Sequence, residues 1–414
     1  MRPDLIPTEL WEYRTSDLVG GIRTALTDAE DRASISLPQL GECVPVRSGR
    51  AGILLALKTL DLPPNARVGV PLYCCPVVFK AIVAAGHQPR FVDVDPSTLC
   101  VSLEDLSVKQ AGIDALIVVH MFGNVADVPR LRASLRGQPI IEDCAQSLGS
   151  QLRGQPTGRF GDVSVFSFRS GKYLSVGDGG ALFTTRDVLR GRATRLVSDL
   201  PAISRGEELA HVVRTYARSK LRSRPLYGLV GHALWQTYNR RVSYVSKSPL
   251  VVGRAFRSDL VLTRDRLAAL GRAIEARRAH ADLFSRIWEG QPLTLSREPP
   301  PAFYNRYQFP ILLPTAALRE TVAASLQARG IDTSRPYSDI AAVAAAHYGY
   351  TGDCRASEQI AERVLVVPNH ERLTPAVVQR IASGVTAALR DATRLATTAP
   401  AHHDARLIGA ERRS

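Results

Sequence analysis

DALIVVHMFGNVADVPRLRASLRGQPIIEDCA, residues 114–145, sets two apolar runs, ALIVV and PII, on either side of the helix-like stretch DVPRLRASLR. Neither run alternates apolar with polar residues. A strand of that kind is covered on both faces, the condition of a parallel sheet held between helices. The rhythm continues outward in both directions. Before it, SGRAGILLALKTL reads as helix, ARVGVPLY as strand, PVVFKAIVAAG as helix, PRFVDVD as strand and SLEDLSVKQ as helix. After it, SVFSF reads as a further strand. From about 48 to 190 the chain is therefore α/β with a mostly parallel central sheet. Ligands bind such sheets beyond the carboxyl ends of the strands, and Asp143 and Lys172 both follow strand-like runs, IIED and SVFSF.

Residues 196–252 break this rhythm with a basic, tyrosine-containing, helix-leaning insertion. One long helix is expected over 264–288, RDRLAALGRAIEARRAHADLFSRIW, as a connector. Beyond it, YQFPILLP and ERVLVVP read as strands, and LRETVAASLQARG and TPAVVQRIASGVTAALR as helices. The expected organisation is a large domain over 1–262 carrying the insertion, an interdomain helix with a smaller C-terminal α+β domain over 263–391, and a disordered tail over 392–414.

The composition, 45% hydrophobic and 22% charged, is that of an ordinary globular protein. No apolar run approaches the roughly 18 residues of a membrane span. The N-terminus shows no apolar segment behind a basic start, and the six cysteines show no metal-ligand spacing or disulfide framework, so a reduced, cytoplasmic protein is expected. The net charge of +14 is concentrated in part between 205 and 257, where eleven Arg or Lys face only Glu207 and Glu208. No aromatic-interleaved basic groove accompanies it, so no nucleic-acid partner is expected. Anionic substrates, or peripheral contact with an acidic membrane or a partner through 196–252, suit it better.

Chemistry is concentrated at few positions. The chain has six lysines against 47 arginines, so it writes arginine where charge alone is wanted. Lys172, in FSFRSGKYLSVGDGG, can do what a guanidinium cannot: lose its proton and form a Schiff base. Asp143, at the end of an apolar strand, suits a facing cation such as a protonated pyridine nitrogen. Gln146, three residues on, is within reach of a phenolic oxygen on the same ring. The turn SGRAG opening the first helix, with Gly49, Arg50 and Ala51, offers amides and a dipole to a phosphate, and Ser167 adds a hydroxyl. Taken singly these are a solvated cation, a turn cap and a helix start. Together they add up to a pyridoxal phosphate pocket.

The sequence resembles the DegT/DnrJ/StrS sugar aminotransferases, pyridoxal-phosphate enzymes of the aspartate-aminotransferase fold (PLP fold type I). The resemblance runs from about 45 to 390 and is carried by SGRAGILLAL, PRFVDVDPSTL, VVHMFGNVADV, IIEDCAQSLGS, GRFGDVSVFSFRSGKYLSVGDGGALFTT and ERVLVVPNHERLTPAVV. It implies that Lys172 carries the cofactor, Asp143 pairs with the ring nitrogen and Gln146 contacts the ring oxygen. It implies that Arg50 and Ala51 supply phosphate-binding amides and Ser167 a phosphate-binding hydroxyl. It also implies a homodimer with the active site at the subunit interface, moving an amino group from glutamate or glutamine to a keto sugar, nucleotide-linked by family precedent.

Departures from the family pattern lie around the cofactor. Where an aromatic usually stacks on the ring, PLYCCPVV places Cys75, with Tyr73 two residues earlier. The partner-subunit asparagine is replaced by Ala255, between Arg254 and Arg257. A small-domain histidine becomes Pro336, and the threonine of the phosphate turn becomes Arg50. The rival readings are a dehydratase, against which Lys172 argues because family dehydratases carry histidine there, an aminotransferase of a non-sugar substrate, and a non-catalytic regulator. His120 is read as structural, Cys74–Cys75 as a packed pair, and no metal site is expected.

Overall fold

A computed structural model describes residues 2–27, 35–223, 226–234 and 250–398 of the chain. Its centre is an eight-stranded sheet. In chain order its strands are β1 (Ile35–Leu37), β2 (Gly41–Val46), β3 (Arg67–Pro71), β4 (Gln88–Val92), β5 (Ala115–Val119) and β6 (Ile140–Asp143). The short strands β7 (Gln151–Leu152) and β8 (Gln155–Pro156) lie outside it, and β9 (Val163–Ser167) and β10 (Gly180–Phe183) complete it. The spatial order is β1-β2-β10-β9-β6-β5-β3-β4. From β9 to β4 every neighbour is parallel. The other edge is antiparallel, with β10 against β9 and β2, and β1 against β2.

The sheet is parallel where the sequence is apolar without alternation. All residues of β5 and β6 are buried, including Glu142 and Asp143. Of these two acids, Glu142 is fully engaged. It accepts N–H bonds from Gly158 (2.9 Å), Phe160 (2.7 Å) and Gly161 (2.5 Å), and meets His120 Nε2 at 3.0 Å. His120 Nδ1 accepts the Ala126 N–H at 3.2 Å, so both ring nitrogens are in use. His120, Glu142 and Cys144 cluster closely enough to suggest a metal, but these bonds make the group a structural staple.

A smaller three-stranded sheet follows, β11 (Thr294–Leu295), β13 (Phe309–Leu312) and β14 (Val364–Val367), and β12 (Ala302–Phe303) pairs back onto β7. The single helix expected over 264–288 is two, Arg257–Leu267 and Leu270–Ile287. The break has a packing cause. Arg266, at the end of the first helix, is fixed to Asp17 at 2.9 Å and to the Glu12 and Leu174 carbonyls, so that helix cannot swing. After the break Leu270 and Ile274 pack with Cys144 and Phe168, while Ala281, Phe284 and Trp288 enter the core of the small sheet. The second helix joins two cores.

The last helix runs Pro375–Thr398, past the expected tail boundary at 392, and 399–414 lie outside the described residues. The helix continues because RDATRLATT holds no breaker residue. Of the insertion, the helix Arg205–Arg222 and the helical turns 226–234 are described, and 224–225 and 235–249 are not.

The helix Gly49–Leu60 lies directly on the sheet, and its glycines set the distance. A Cβ on Gly52 would stand 2.6 Å from Val165 Cγ1. Alanine normally improves a helix over glycine by about 1 kcal/mol, but overpacking a core costs about 1–3 kcal/mol. Gly52→Ala should therefore lower the denaturant midpoint. Val165→Ala in the same chain should recover part of the loss, giving a coupling of at least about 0.5 kcal/mol in a double-mutant cycle. A neutral or stabilising Gly52→Ala would contradict the close packing.

Candidate active site

Three chain segments meet at the carboxyl ends of β6 and β9. The first is the turn after β2. Ser48 caps the helix Gly49–Leu60, its Oγ accepting the Ala51 N–H at 3.3 Å. Ser48 also bridges to Gly179, while Gly180 pairs with both Val46 and Ser167. Gly49 is required there: a Cβ would lie 2.7 Å from Ser167 Cβ and 3.0 Å from its Oγ. Gly180 is equally confined, its Cβ position being 2.5 Å from the Phe166 carbonyl and 3.0 Å from the Gly49 nitrogen. The Ser167 hydroxyl is thus set beside the first turn of a helix, where amides lack intrahelical acceptors and the dipole is positive. Arg50 is half-buried on that turn.

Second is Asp143, the last residue of β6, lying level with Val119 and Val165 of the flanking strands. Its Oδ1 accepts the Ala145 N–H at 3.0 Å, and among the described residues no cation stands within ion-pair distance. Burial pushes the carboxyl above its ordinary range; the Ala145 amide and the charge of Lys172 pull it back. The carboxylate is buried, and among the described residues one of its oxygens has no hydrogen-bond donor. Gln146 holds the turn opposite, accepting the Phe122 N–H at 2.9 Å while its Nε2 approaches Met121 Sδ at 3.4 Å. Phe122 lies in the left-handed region, φ 59°, so this bond fixes an unfavourable backbone.

Third is Lys172, half-buried as a residue, with its amine set deep in the fold. Burial, and next the charge of Arg169, depress its pKa to about 8, against the opposite pull of Asp143, Glu9 and Cys75. The amine stands 4.9 Å over the Tyr307 ring, and the Tyr307 hydroxyl donates to the Gly171 carbonyl at 2.8 Å. Sequence reading missed Glu9, Arg169 and Tyr307. Arg169 is three residues before Lys172 in the quoted stretch, but nothing local announces Glu9 or Tyr307, which arrive from distant segments. A narrow cleft opens beside Gly171, lined by Thr8, Glu9, Arg277, Tyr307, Gln308 and His370.

Tyr73 and Cys75 diverge. The Tyr73 hydroxyl donates to the Pro336 carbonyl at 3.1 Å, and its ring meets Tyr337 edge-on at 5.9 Å. Pro336, where the resemblance places a histidine, thus serves as an acceptor for Tyr73. Cys75 remains half-buried and faces Lys172 electrostatically. Arg254 gives its guanidinium to the Leu200 and Ser198 carbonyls at 2.9 and 2.6 Å, and Arg257 donates to the Thr27 carbonyl at 3.0 Å.

The insertion is tied to this site at both ends. Arg47 lies 3.6 Å over Phe256, His211 stacks on the same ring at 3.7 Å, and His211 bonds Asp259 at 2.9 Å. Asp259 in turn accepts the Asp178 N–H at 3.1 Å.

Residues 37–209 and 258–386 match the DegT/DnrJ/EryC1/StrS aminotransferase family. A UDP-N-acetyl-3-dehydro-alpha-D-glucosamine 3-aminotransferase of Acidithiobacillus ferrooxidans is 29% identical over 342 residues, 81% of each chain. An L-glutamine:2-deoxy-scyllo-inosose aminotransferase of Streptoalloteichus tenebrarius is 38% identical over 165 residues, 39% of this chain and 38% of that enzyme. In fold the chain matches Spr1654 of Streptococcus pneumoniae, solved in its PMP-form, with a TM-score of 0.72 at 16% identity, covering 95% of this chain and all of that one.

Lys172 should react with an acylating reagent with a midpoint near pH 8, read by mass spectrometry of its peptide across a pH series. Asp143→Asn removes a charge that favours the ammonium and should lower that midpoint, whereas Arg169→Gln should raise it. A midpoint at the ordinary lysine value of 10.5 would contradict the buried placement.

Proposed function

The chain belongs to the DegT/DnrJ/EryC1/StrS aminotransferase family, and from that premise we propose that it uses pyridoxal 5'-phosphate to move an amino group from glutamate or glutamine to a keto sugar, nucleotide-linked. The observation that carries this reading is the enclosed pair Lys172 and Asp143: an amine with a depressed pKa, and a carboxylate with an uncommitted oxygen.

The residues fit the cofactor. The Ser48–Gly49–Arg50 turn and the Ser167 hydroxyl form a cradle that a Cβ at Gly49 would fill, suited to a phosphate. Asp143 would hold a proton on the ring nitrogen, and Gln146 Nε2, turned toward a weak sulfur acceptor, would serve the ring oxygen. Cys75 rather than Tyr73 would flank the ring, since Tyr73 is committed to Pro336. When bound, the cofactor supplies a carbonyl for the amino group and an electron-withdrawing ring.

Lys172 does the proton work. With a pKa of about 8 a useful fraction of the amine is neutral near physiological pH, so it can take the proton from the donor's Cα and later return one to the carbon of the acceptor. The charge of an ionised Asp143 would favour the ammonium, and burial of Lys172 outweighs it. Support for the sugar class comes from the relatives named above, one acting on a UDP-linked keto sugar and one on a cyclic inosose with glutamine. We assign a homodimer as the working form, in which a partner subunit completes the phosphate end of the site.

The test is spectroscopic. Protein loaded with pyridoxal 5'-phosphate should show a visible band that L-glutamate discharges with release of 2-oxoglutarate. Lys172→Ala should lose the discharge, and Asp143→Asn should slow it by at least about a hundredfold. Discharge at the wild-type rate by Lys172→Ala would overturn the assignment.

A further inference from the structure

The family match stops at 209 and resumes at 258, so residues 210–257 are an internal stretch that lies outside it. That stretch holds ten Arg or Lys and no Asp or Glu. Its described portion has a definite surface. Along the helix Arg205–Arg222, Val213, Ala217 and Leu221 recur every four residues and are exposed, beside the exposed Arg214 and Arg218. The turns 226–234 repeat the arrangement: Leu226, Leu229, Val230, Ala233 and Leu234 are exposed at i, i+3, i+4, i+7 and i+8, one apolar stripe of a helix. Leu234 is 54% exposed and Val230 47%.

The outward aim of this stripe is enforced from beneath. A Cβ on Gly228 would overlap the Arg2 carbonyl, and one on Gly231 the Leu221 carbonyl, so the glycine face is pressed onto the protein. Tyr227 is buried and donates to Asp332 at 2.7 Å, and His232 meets the same carboxylate at 3.5 Å. The Arg2 N–H bonds the Gly228 carbonyl at 3.1 Å. The apolar face cannot roll inward to hide.

We propose that this face is a docking surface for an anionic lipid bilayer. An apolar stripe bordered by arginines, in a stretch that has no acid from 210 to 257, is what lies flat in the headgroup region of a negatively charged leaflet. No helix among the described residues is long and apolar enough to cross a bilayer, so the contact is peripheral. Charge disfavours a second copy as the occupant, because an isologous interface would set Arg214 and Arg218 against their own copies. The Leu and Val side chains separate a bilayer from a nucleic acid, which would have no use for them.

The full-length protein should float with vesicles of equal parts phosphatidylcholine and phosphatidylglycerol, and should not float with phosphatidylcholine alone. The triple variant Leu229→Ser, Val230→Ser, Leu234→Ser should lower partitioning at least about tenfold. Arg214→Gln and Arg218→Gln should lower it by about fivefold each, an effect that high salt should mimic in the wild type. Melting temperature and glutamate turnover should be unchanged in all of these variants, because the side chains are exposed and outside the site. Absence of flotation with the mixed vesicles, or undiminished flotation of the serine variant, would overturn the proposal. So would loss of an oligomer in the serine variant, or DNA binding that survives it.

Discussion

Everything in the site depends on keeping Lys172 and Asp143 enclosed together at the carboxyl ends of β9 and β6. Neither ionised group is at ease there: burial pushes the carboxyl up and the amine down. Their mutual attraction does not cancel the burial of the amine, and the balance leaves Lys172 at about 8 instead of 10.5. That difference corresponds to about 3 kcal/mol. It is sustained by the sheet: Asp143 cannot withdraw because Val119 and Val165 fix its register on both sides. The unfolded chain binds the lysine proton more tightly, so this term opposes folding below pH 8 and fades as pH rises toward 10.5.

The sheet was legible because a strand buried on both faces is built mainly from apolar residues, as β5 is throughout, β3 after Arg67 and β6 up to its terminal Glu142 and Asp143. The antiparallel edge was not, because β1 has only three residues and β2 and β10 both begin with glycine, and the pairing of Gly180 with Ser167 and Val46 joins segments far apart in sequence. The break between the helices ending at Leu267 and starting at Leu270 was also invisible. RLAALGRA is continuous helix by propensity, and only the anchoring of Arg266 to Asp17 and the Glu12 carbonyl, far away in sequence, forces the change of direction.

At the site, Lys172, Asp143, Gln146, Ser167 and Gly49 could be named because each follows or opens a regular element. Their environment could not. Glu9 approaches from the N-terminal segment and bonds Gln308 at 2.6 Å, and Tyr307 comes from just before β13. The question left open by Tyr73 and Cys75 is a matter of side-chain direction, which a loop sequence does not encode. The hydroxyl of Tyr73 found the Pro336 carbonyl, and the thiol was left on the site side.

The central claim is that Lys172 is the residue that holds the cofactor. Protein loaded with pyridoxal 5'-phosphate, reduced with borohydride and digested, should carry the reduced cofactor on the peptide containing Lys172 and on none of the other five lysine peptides. The modification on another lysine, or no stable modification at all, would contradict it.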